Sequence, residues 1–382
     1  MNANNCFHPI ATTFVQPTCL SLLLVGICLS ATSAGLARTE PANGFHNGEV
    51  SERVKWLDTD GHLINAHDGG ILFADGKYYW YGMELRPFMA TNTLAGGQKT
   101  TTGVVMYSST NLFDWKREGL ILSCSTDPNS LLKGPMRFER PKIIFNDKTK
   151  KYVMWFHYVG YPGDHGQDIG TADAGVAVSD TINGRYTFLG IQRPISDKGE
   201  VKDCTLFKDD DGSGYFIYDR VVPTSDPLTG KMDKKRSLHI VKLSDDFLTC
   251  TKTYKEIENS ARREAPVMIK RNGRYFLITS GMSGWAYNRS SYFQTTNLFG
   301  AYELMGDPCT GTNTATTYYS QGTHAFAVEG QKDRFIFISE RHYTPCMTDS
   351  SYIFWPVVFT TPTNLHLPYL PEWDAEHWPT EK

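Results

Sequence analysis

The chain has 382 residues, a net charge of −3 and 40% hydrophobic residues, which is enough for a large buried core. The nearly neutral charge argues against nucleic acid or an anionic membrane surface as a partner. Thirty-three glycines, 19 prolines and 13% aromatic residues are typical of short strands joined by turns.

Residues 1–37 have the pattern of a secretory signal peptide. An apolar core followed by small residues runs from Cys19 to Ala37, although no Lys or Arg precedes it. A membrane anchor is the alternative, but the apolar run is short for crossing a bilayer. We therefore expect a secreted protein with no membrane contact after signal removal, and the glycosylation sequon at Asn288 agrees with this.

Removal of the signal leaves an odd number of widely spaced cysteines, which does not indicate a disulfide scaffold. No CxxC pair suggests a zinc site. Cys309 and Cys346 flank one repeat unit and could be bridged. The remaining cysteines are Cys124, Cys204 and Cys250.

After a polar lead-in at 38–57, one pattern recurs along the chain: a turn, then a strand rich in aromatic residues. The clearest copy is Arg263–Ser280, where Asn272 and Gly273 supply the positive φ angles of a two-residue hairpin. The outgoing strands recur at intervals of roughly 60 to 75 residues. They are Tyr78–Tyr81, Tyr152–Trp155, Tyr215–Tyr218, Tyr275–Ile278 and Phe335–Ile338.

A further strand follows each outgoing strand, so each unit has about four strands. One unit cannot bury both faces of its sheet, and the units must therefore pack around a shared axis. The sequence predicts an all-β, five-bladed β-propeller over residues 58–368, followed by a tail at 369–382. A β-sandwich with long loops is the alternative, but it does not predict matched internal spacing.

Each unit has a polar residue ahead of its outgoing strand. If the innermost strands line a central channel, these side chains meet at one mouth. Crowded carboxylates repel, so at least one should have a raised pKa, although any one of them alone could be an ordinary turn or cap residue. A protonated acid beside ionised partners is suited to glycosidic bond cleavage. The five residues are Asp68, Glu139, Asp203, Glu264 and Gln321.

The motifs around these residues resemble glycoside hydrolase family 43. The general family motifs are Asp68-Gly69-Gly70-Ile71, Asp75-Gly76-Lys77-Tyr78-Tyr79, Asp203-Cys204-Thr205-Leu206-Phe207, Asp209-Asp210-Asp211-Gly212 and Glu264-Ala265-Pro266. A second set is similar to the exo-β-1,3-galactanase branch, and the likeness extends from about residue 58 to 368. This set is Ile64-Asn65-Ala66-His67, Tyr79-Trp80-Tyr81-Gly82, Glu139-Arg140-Pro141-Lys142, Ser280-Gly281-Met282-Ser283-Gly284-Trp285 and Ser320-Gln321.

The resemblance implies a five-bladed propeller that inverts configuration with a carboxylate triad. It assigns Glu264 as general acid, Asp203 as the residue that orients it and tunes its pKa, and Gln321 as a water- or sugar-positioning residue. The base stays open between Asp68 and Glu139, and Glu139 could instead contact the sugar. An inverting base should lie roughly 6.5–9.5 Å from the acid to leave room for water.

Four residues are candidate substrate contacts: Trp285, His67, Tyr158 and Trp80. Packing between blades is the competing interpretation for the aromatic residues, and a structural role is the competing one for His67. Trp285 lies in a Gly/Ser-rich loop, where packing is less natural. The resemblance also makes His324 a candidate neighbour of a calcium ion in the channel; otherwise no cofactor is expected.

Together with the signal pattern, the resemblance implies a secreted, inverting, exo-acting glycosidase that releases galactose from the β-1,3-galactan of arabinogalactan. Its partner would be a polysaccharide or oligosaccharide. A family 43 arabinofuranosidase or β-xylosidase is the nearest alternative, because the acid and modulator are shared. A propeller that binds carbohydrate without cleaving it is the alternative from another class.

Overall fold

The computed structural model describes residues 44–86, 93–94, 98–99, 101–134, 136–160, 173–195, 199–225 and 232–379. The predicted signal peptide lies outside these residues. Within them the fold is all-β, and the helical turns are the short 3₁₀ segments Thr314–Thr316 and Met347–Asp349. None of the described helices is long and apolar enough to cross a bilayer.

The strands of the first two repeat units form two antiparallel four-stranded sheets, in the orders β2-β3-β6-β7 and β11-β10-β9-β8. The strands are β1 (Phe45–His46), β2 (His67–Ala74), β3 (Lys77–Leu85), β4 (Thr93–Leu94), β5 (Gln98–Lys99), β6 (Thr101–Ser109), β7 (Lys116–Ser123), β8 (Arg137–Asn146), β9 (Lys151–Val159), β10 (Asp173–Ser179) and β11 (Thr187–Gln192).

The next two units also form four-stranded sheets, β12-β13-β14-β15 and β16-β17-β18-β19. Two three-stranded sheets follow, β21-β22-β23 and β20-β25-β24. The strands are β12 (Glu200–Lys208), β13 (Gly214–Ser225), β14 (Met232–Leu243), β15 (Cys250–Glu256), β16 (Arg263–Arg271), β17 (Arg274–Gly281), β18 (Ser291–Thr295), β19 (Glu303–Gly306), β20 (Cys309–Thr310), β21 (Gln321–Ala327), β22 (Phe335–Arg341), β23 (Ser351–Pro356), β24 (Val358–Phe359), β25 (Leu365–Pro368) and β26 (Glu372–Trp373).

The prediction of five blades is wrong. Counting each sheet of three or more strands as a blade, the described residues form six blades: four with four strands and two with three. The fifth predicted unit is divided. Its β23 ends at Pro356, which has no N–H for a ladder, and the next strand, β24, pairs with β25. β25 then pairs in parallel with β20, which precedes the unit in sequence.

The predicted outgoing strands are confirmed, because all five fall within β3, β9, β13, β17 and β22. The hairpin at Asn272 and Gly273 is also confirmed, since their φ angles are 49° and 73°. The innermost strands β2, β8, β12, β16 and β21 lie beside one another in this order, and β21 also contacts β2. Their starting residues therefore surround one region.

Aromatic side chains fill the space between neighbouring sheets. Trp155 of β9 and Phe216 of β13 are both buried, with ring centroids 4.9 Å apart. Each such side chain contributes about 1.5–3 kcal/mol through burial. This packing fixes the sheets against one another and so holds the innermost strands in place.

Segments from the predicted lead-in and tail pair with each other as β1 and β26. Phe45 is buried and stacks on Trp373, with ring centroids 4.4 Å apart. Cys309 and Cys346, the candidate disulfide, are both free thiols.

Candidate functional site

A pocket lies where the innermost strands begin. It contains all five polar residues that the repeats predicted to converge, together with Trp285 and two residues for which the sequence suggested no role. The lining residues are Asp68, Glu139, Arg140, Asp203, Glu264, Gly284, Trp285 and Gln321.

β-Bulges at the start of the innermost strands aim these side chains. Glu139 and Glu264 directly precede a bulge, whereas Asp68 and Asp203 lie within one, so the carboxylates do not occupy one repeat position as the sequence suggested. A bulge bends the strand and re-aims its side chains, which is why different register positions reach the same pocket. The register shifts lie between His67 and Gly70, Glu139 and Lys142, Val201 and Cys204, Glu264 and Val267, and Gly322 and His324.

Three of the bulges contain a residue with left-handed backbone, and this explains why proline or glycine follows that residue in the sequence. Asp68, Arg140 and Ala265 have φ angles of 56°, 49° and 53°. Prolines follow the latter two, because a bulge position does not need the ladder N–H. Gly69 follows Asp68, and a Cβ there would lie 1.7 Å from the Tyr81 carbonyl oxygen.

Glu264 is a buried carboxyl whose pKa is raised. Its Oε1 accepts a hydrogen bond from Gln321 Nε2 at 3.2 Å, and its Oε2 lies 3.3 Å from Arg236 Nη2. Burial and the negative charge of Asp203 raise the pKa of Glu264 to about 7, against the opposing charges of Arg236 and Arg140. A large fraction of this group therefore carries a proton near neutral pH.

Asp203 contacts the backbone beside Glu264. Its Oδ2 accepts the N–H of Ala265 at 3.1 Å and lies 2.9 Å from Arg140 Nε. The carboxylate thus restrains the strand that carries Glu264, and its charge disfavours ionisation of the Glu264 carboxyl.

Arg140 is the central cation of the pocket. Its guanidinium lies against Asp203, donates to the Gly322 carbonyl at 2.9 Å, and donates to Gln321 Oε1 at 2.7 Å. This last bond turns the Gln321 NH₂ group toward Glu264 and Ser280, at 3.2 and 3.1 Å. Arg140 therefore sets the orientation of the amide that contacts Glu264.

Asp68 is buried, and its pKa is shifted in the opposite direction. Burial alone would raise its pKa, but the Arg140 charge and the neighbouring His342 lower it further than burial raises it. Arg140 Nη2 and His342 Nε2 both lie 3.8 Å from Asp68 Oδ1. Among the described residues, no group hydrogen-bonds to this oxygen.

The backbone of Asp68 is held from both sides. Its N–H donates to Glu340 Oε2 at 3.1 Å, and its carbonyl oxygen accepts from Lys142 Nζ at 2.9 Å. Glu340 is fully buried and also lies 2.5 Å from His67 Nδ1. These contacts stabilise the left-handed conformation that points Asp68 into the pocket.

Glu139 has both carboxylate oxygens engaged. Oε1 pairs with Arg137, and Oε2 lies 2.8 Å from His157 Nδ1. Burial opposes ionisation, but the charges of Arg137 and His157 lower the pKa of Glu139 to about 2. The group is therefore a fixed anion on the pocket wall.

Three of the candidate substrate contacts do not line the pocket. Trp80 is 1% exposed and packs edge-on against Trp115, which is the packing alternative that the sequence left open. Tyr158 is buried and donates to the Leu131 carbonyl at 2.6 Å. His67 is buried against Glu340.

Trp285 is the candidate substrate contact that does line the pocket. It is 36% exposed and meets the His342 ring edge-on at 5.0 Å. Arg236 and His342 are functional candidates that the sequence analysis missed, because neither stands at the repeat position: Arg236 lies on β14, and His342 directly follows β22. Arg140 belongs to a motif quoted in the sequence analysis, but the sequence suggested no role for it, and its contacts are visible only in the structure.

A calcium ion near His324, which would need six to eight oxygen ligands, stays a prediction. His324 Nε2 is 3.1 Å from the Ile71 carbonyl oxygen, and burial with the nearby Lys142 charge lowers the pKa of His324 to about 3. A second buried donor set consists of Asp68, Glu340 and His342, whose ligand atoms lie within 4.8 Å of one another. Arg140 Nη2 lies 3.8 Å from the same Asp68 oxygen, and its positive charge opposes the binding of a cation there.

Comparison with known proteins identifies a family. The model described as glycosyl hydrolases family 43 matches residues 64–362. Comparison with curated protein sequences gives no match.

Solved structures with the same architecture include two family 43 β-1,3-galactosidases. The first is 30% identical with a TM-score of 0.74, and the match covers 88% of this chain and 64% of that one. The second, solved with galactodeoxynojirimycin, is 31% identical with a TM-score of 0.73, covering 84% and 99%. An exo-β-1,3-galactanase from Clostridium thermocellum is 30% identical with a TM-score of 0.67, covering 86% and 66%.

Proposed function

Because the chain belongs to glycoside hydrolase family 43 and is a glycosidase, we propose that it is a secreted, exo-acting enzyme that releases galactose from β-1,3-galactan with inversion. The similar structures bear the names of β-1,3-galactosidases and exo-β-1,3-galactanases, which supports this substrate. The observation that carries the proposal is that the pKa values of two pocket carboxyls are shifted in opposite directions: the pKa of Glu264 is raised and that of Asp68 is lowered.

Glu264 is the general acid in this proposal. A proton donor must hold its proton at working pH, and a pKa of about 7 allows this. Asp203 supports the role through its contact with the Ala265 N–H and through its charge. Gln321 keeps one carboxyl oxygen of Glu264 in a fixed direction.

Asp68 is the general base. Asp68 lines the pocket, and its Oδ1 has no hydrogen-bond partner among the described groups. Glu139 is the weaker candidate, because both of its oxygens are engaged by Arg137 and His157. Glu139 instead presents a fixed anion to sugar hydroxyl groups.

The reaction then follows from these positions. Asp68 takes a proton from water as the water oxygen bonds to the anomeric carbon, and Glu264 gives its proton to the glycosidic oxygen as that bond breaks. Asp68, Glu264, Arg140 and Gln321 line one pocket, and the proposed reaction requires a sugar ring and a water between the two carboxyls. The galactose released has the α configuration.

The test is to incubate the protein with debranched β-1,3-galactan and to follow the released sugar by proton NMR. We expect galactose whose first-formed anomer is α. First-formed β-galactose would overturn inversion, and absence of galactose would overturn the substrate. Parallel incubations with arabinan and xylan identify the other family 43 specificities by their products.

A further inference from the structure

Three successive residues beside the pocket have left-handed backbone. Thr317, Tyr318 and Tyr319 have φ angles of 49°, 52° and 56°, and none of them is glycine. This conformation costs about 1–2 kcal/mol per residue and normally occurs at single positions. Such backbone persists only where the surroundings enforce it, and it is concentrated at functional sites.

The first two residues of this turn are tightly held. Thr317 Oγ1 donates to the Asn288 carbonyl at 2.7 Å and accepts the Ser290 N–H at 2.9 Å. Tyr318 is 1% exposed, and its hydroxyl accepts the Thr310 N–H at 2.7 Å. These contacts maintain the strained turn.

The ring of the third residue, Tyr319, is held by weaker contacts. Tyr319 is 39% exposed, and its hydroxyl lies 3.5 Å from Asn313 Oδ1, the limit of a hydrogen bond. The turn therefore holds two buried residues in an unfavourable conformation and presents an aromatic ring to solvent on the third.

A chain of contacts through Tyr287 and His342 connects the Tyr319 ring with the pocket. Trp285 lines the pocket and contacts His342, whose carbonyl accepts the Tyr287 hydroxyl at 2.6 Å. Tyr287 in turn meets Tyr319 edge-on at 6.0 Å. Tyr319 also precedes Gln321, a pocket residue, by two positions.

We propose that Tyr319 forms a binding site for the sugar units of the polymer beyond the one being cleaved. The inference rests on the proposed function, because an exo-acting enzyme holds the terminal galactose in the pocket and the rest of the chain must leave across the surface beside it. Aromatic rings pack against the apolar face of a sugar. Trp285 then contacts the sugar in the pocket mouth, and Tyr319 contacts the chain outside it.

The test compares substrates with and without sugar in the leaving group. Tyr319→Ala should lower kcat/KM on galactan about tenfold, the effect of losing about 1.4 kcal/mol of binding. On an aryl β-galactoside, whose leaving group carries no sugar, kcat/KM should stay within twofold of the wild type. Tyr319→Phe should retain activity on both substrates, since it keeps the ring.

One further variant separates the effect of the ring from the effect of the strained backbone, and a second serves as a control. Tyr319→Gly removes the ring and relieves the left-handed strain, so it should lose galactan activity like Tyr319→Ala without a lower melting temperature. Tyr254→Ala removes an aromatic ring that is 52% exposed on the outer strand β15, and both substrates should be unaffected.

Each result decides one claim. If the wild type cleaves both substrates and Tyr319→Ala lowers both equally or neither, the site at Tyr319 is wrong while the proposed function stands. If the wild type cleaves neither substrate, the proposed function is wrong and the site with it.

Discussion

Glu264 and Asp68 are two buried carboxyls at bulges of the propeller, and their pKa values are shifted in opposite directions. Glu264 lies beside the anion Asp203, receives an amide N–H from Gln321, and has a pKa of about 7. Asp68 lies 3.8 Å from both Arg140 and His342, and its pKa is lowered. Burial raises the pKa of both, so the neighbouring charges decide the difference.

Both carboxyls are influenced by one cation, Arg140. Arg140 contacts Asp203 directly and reaches Glu264 through the Gln321 amide, while its charge also acts on Asp68. A single guanidinium thereby keeps Asp68 ionised without removing the proton from Glu264.

The largest expected effect comes from removing the acid. Glu264→Gln should lower kcat by ~10²–10⁴-fold, because the amide cannot donate its proton to the leaving oxygen. The matched control is Glu258→Gln, a half-exposed surface residue paired with Lys255. Steady-state kinetics on galactan measure the effect, and unchanged turnover would favour a propeller that only binds carbohydrate.

The second change tests the base. Asp68→Asn should lower kcat by a comparable ~10²–10⁴-fold, and Glu139→Gln should lower it less, with the larger effect on KM. Both variants are measured on the same substrate, with circular dichroism to confirm folding. If Glu139→Gln has the greater effect on kcat, Glu139 rather than Asp68 is the base.

Arg140 variants separate charge from geometry. Arg140→Lys keeps a charge but loses the bidentate contacts, so kcat should fall about 10–100-fold with little change in the pH profile. Arg140→Gln should move both limbs of the profile to higher pH, because the Arg140 charge lowers the pKa of both Asp68 and Glu264. Thermal unfolding checks that each variant folds, and limbs that do not move in Arg140→Gln would contradict the proposed coupling.

The wild-type pH profile tests the comparison without mutation. The acid must be protonated, so kcat/KM should fall as pH rises through about 7, approaching tenfold per pH unit. The base must be ionised, and the lowered pKa of Asp68 places the acid-side fall below the ordinary range of aspartate. An alkaline limb well above pH 8 would show that Glu264 is not the titrating acid.

The smallest expected effect concerns Ser280, which accepts the second N–H of Gln321 at 3.1 Å. Ser280→Ala removes a bond worth about 1 kcal/mol, so kcat should fall roughly fivefold. Ser213→Ala, at a turn remote from the pocket residues, is the control and should leave kcat unchanged. No change in Ser280→Ala would mean that Arg140 alone orients the amide.

The local pattern of the sequence predicted the hairpins, the outgoing strands and the set of pocket carboxylates. It did not predict the sixth sheet, because the pairing of β20 with β25 joins segments far apart in the chain. It also placed Asp68 and Glu264 in equivalent positions, since a bulge shifts register without changing residue spacing visibly. His342 and Arg236 were missed because their contacts with Asp68 and Glu264 cross between sheets.

The left-handed backbone at Asp68 has an evolutionary consequence. Its φ of 56° is one that glycine adopts without strain, and Asp and Gly codons differ by one base. A single nucleotide change can therefore remove the candidate base while the backbone keeps its path. At this position, the step between a hydrolase and a sugar-binding propeller is short, and selection rather than folding has to maintain the carboxylate.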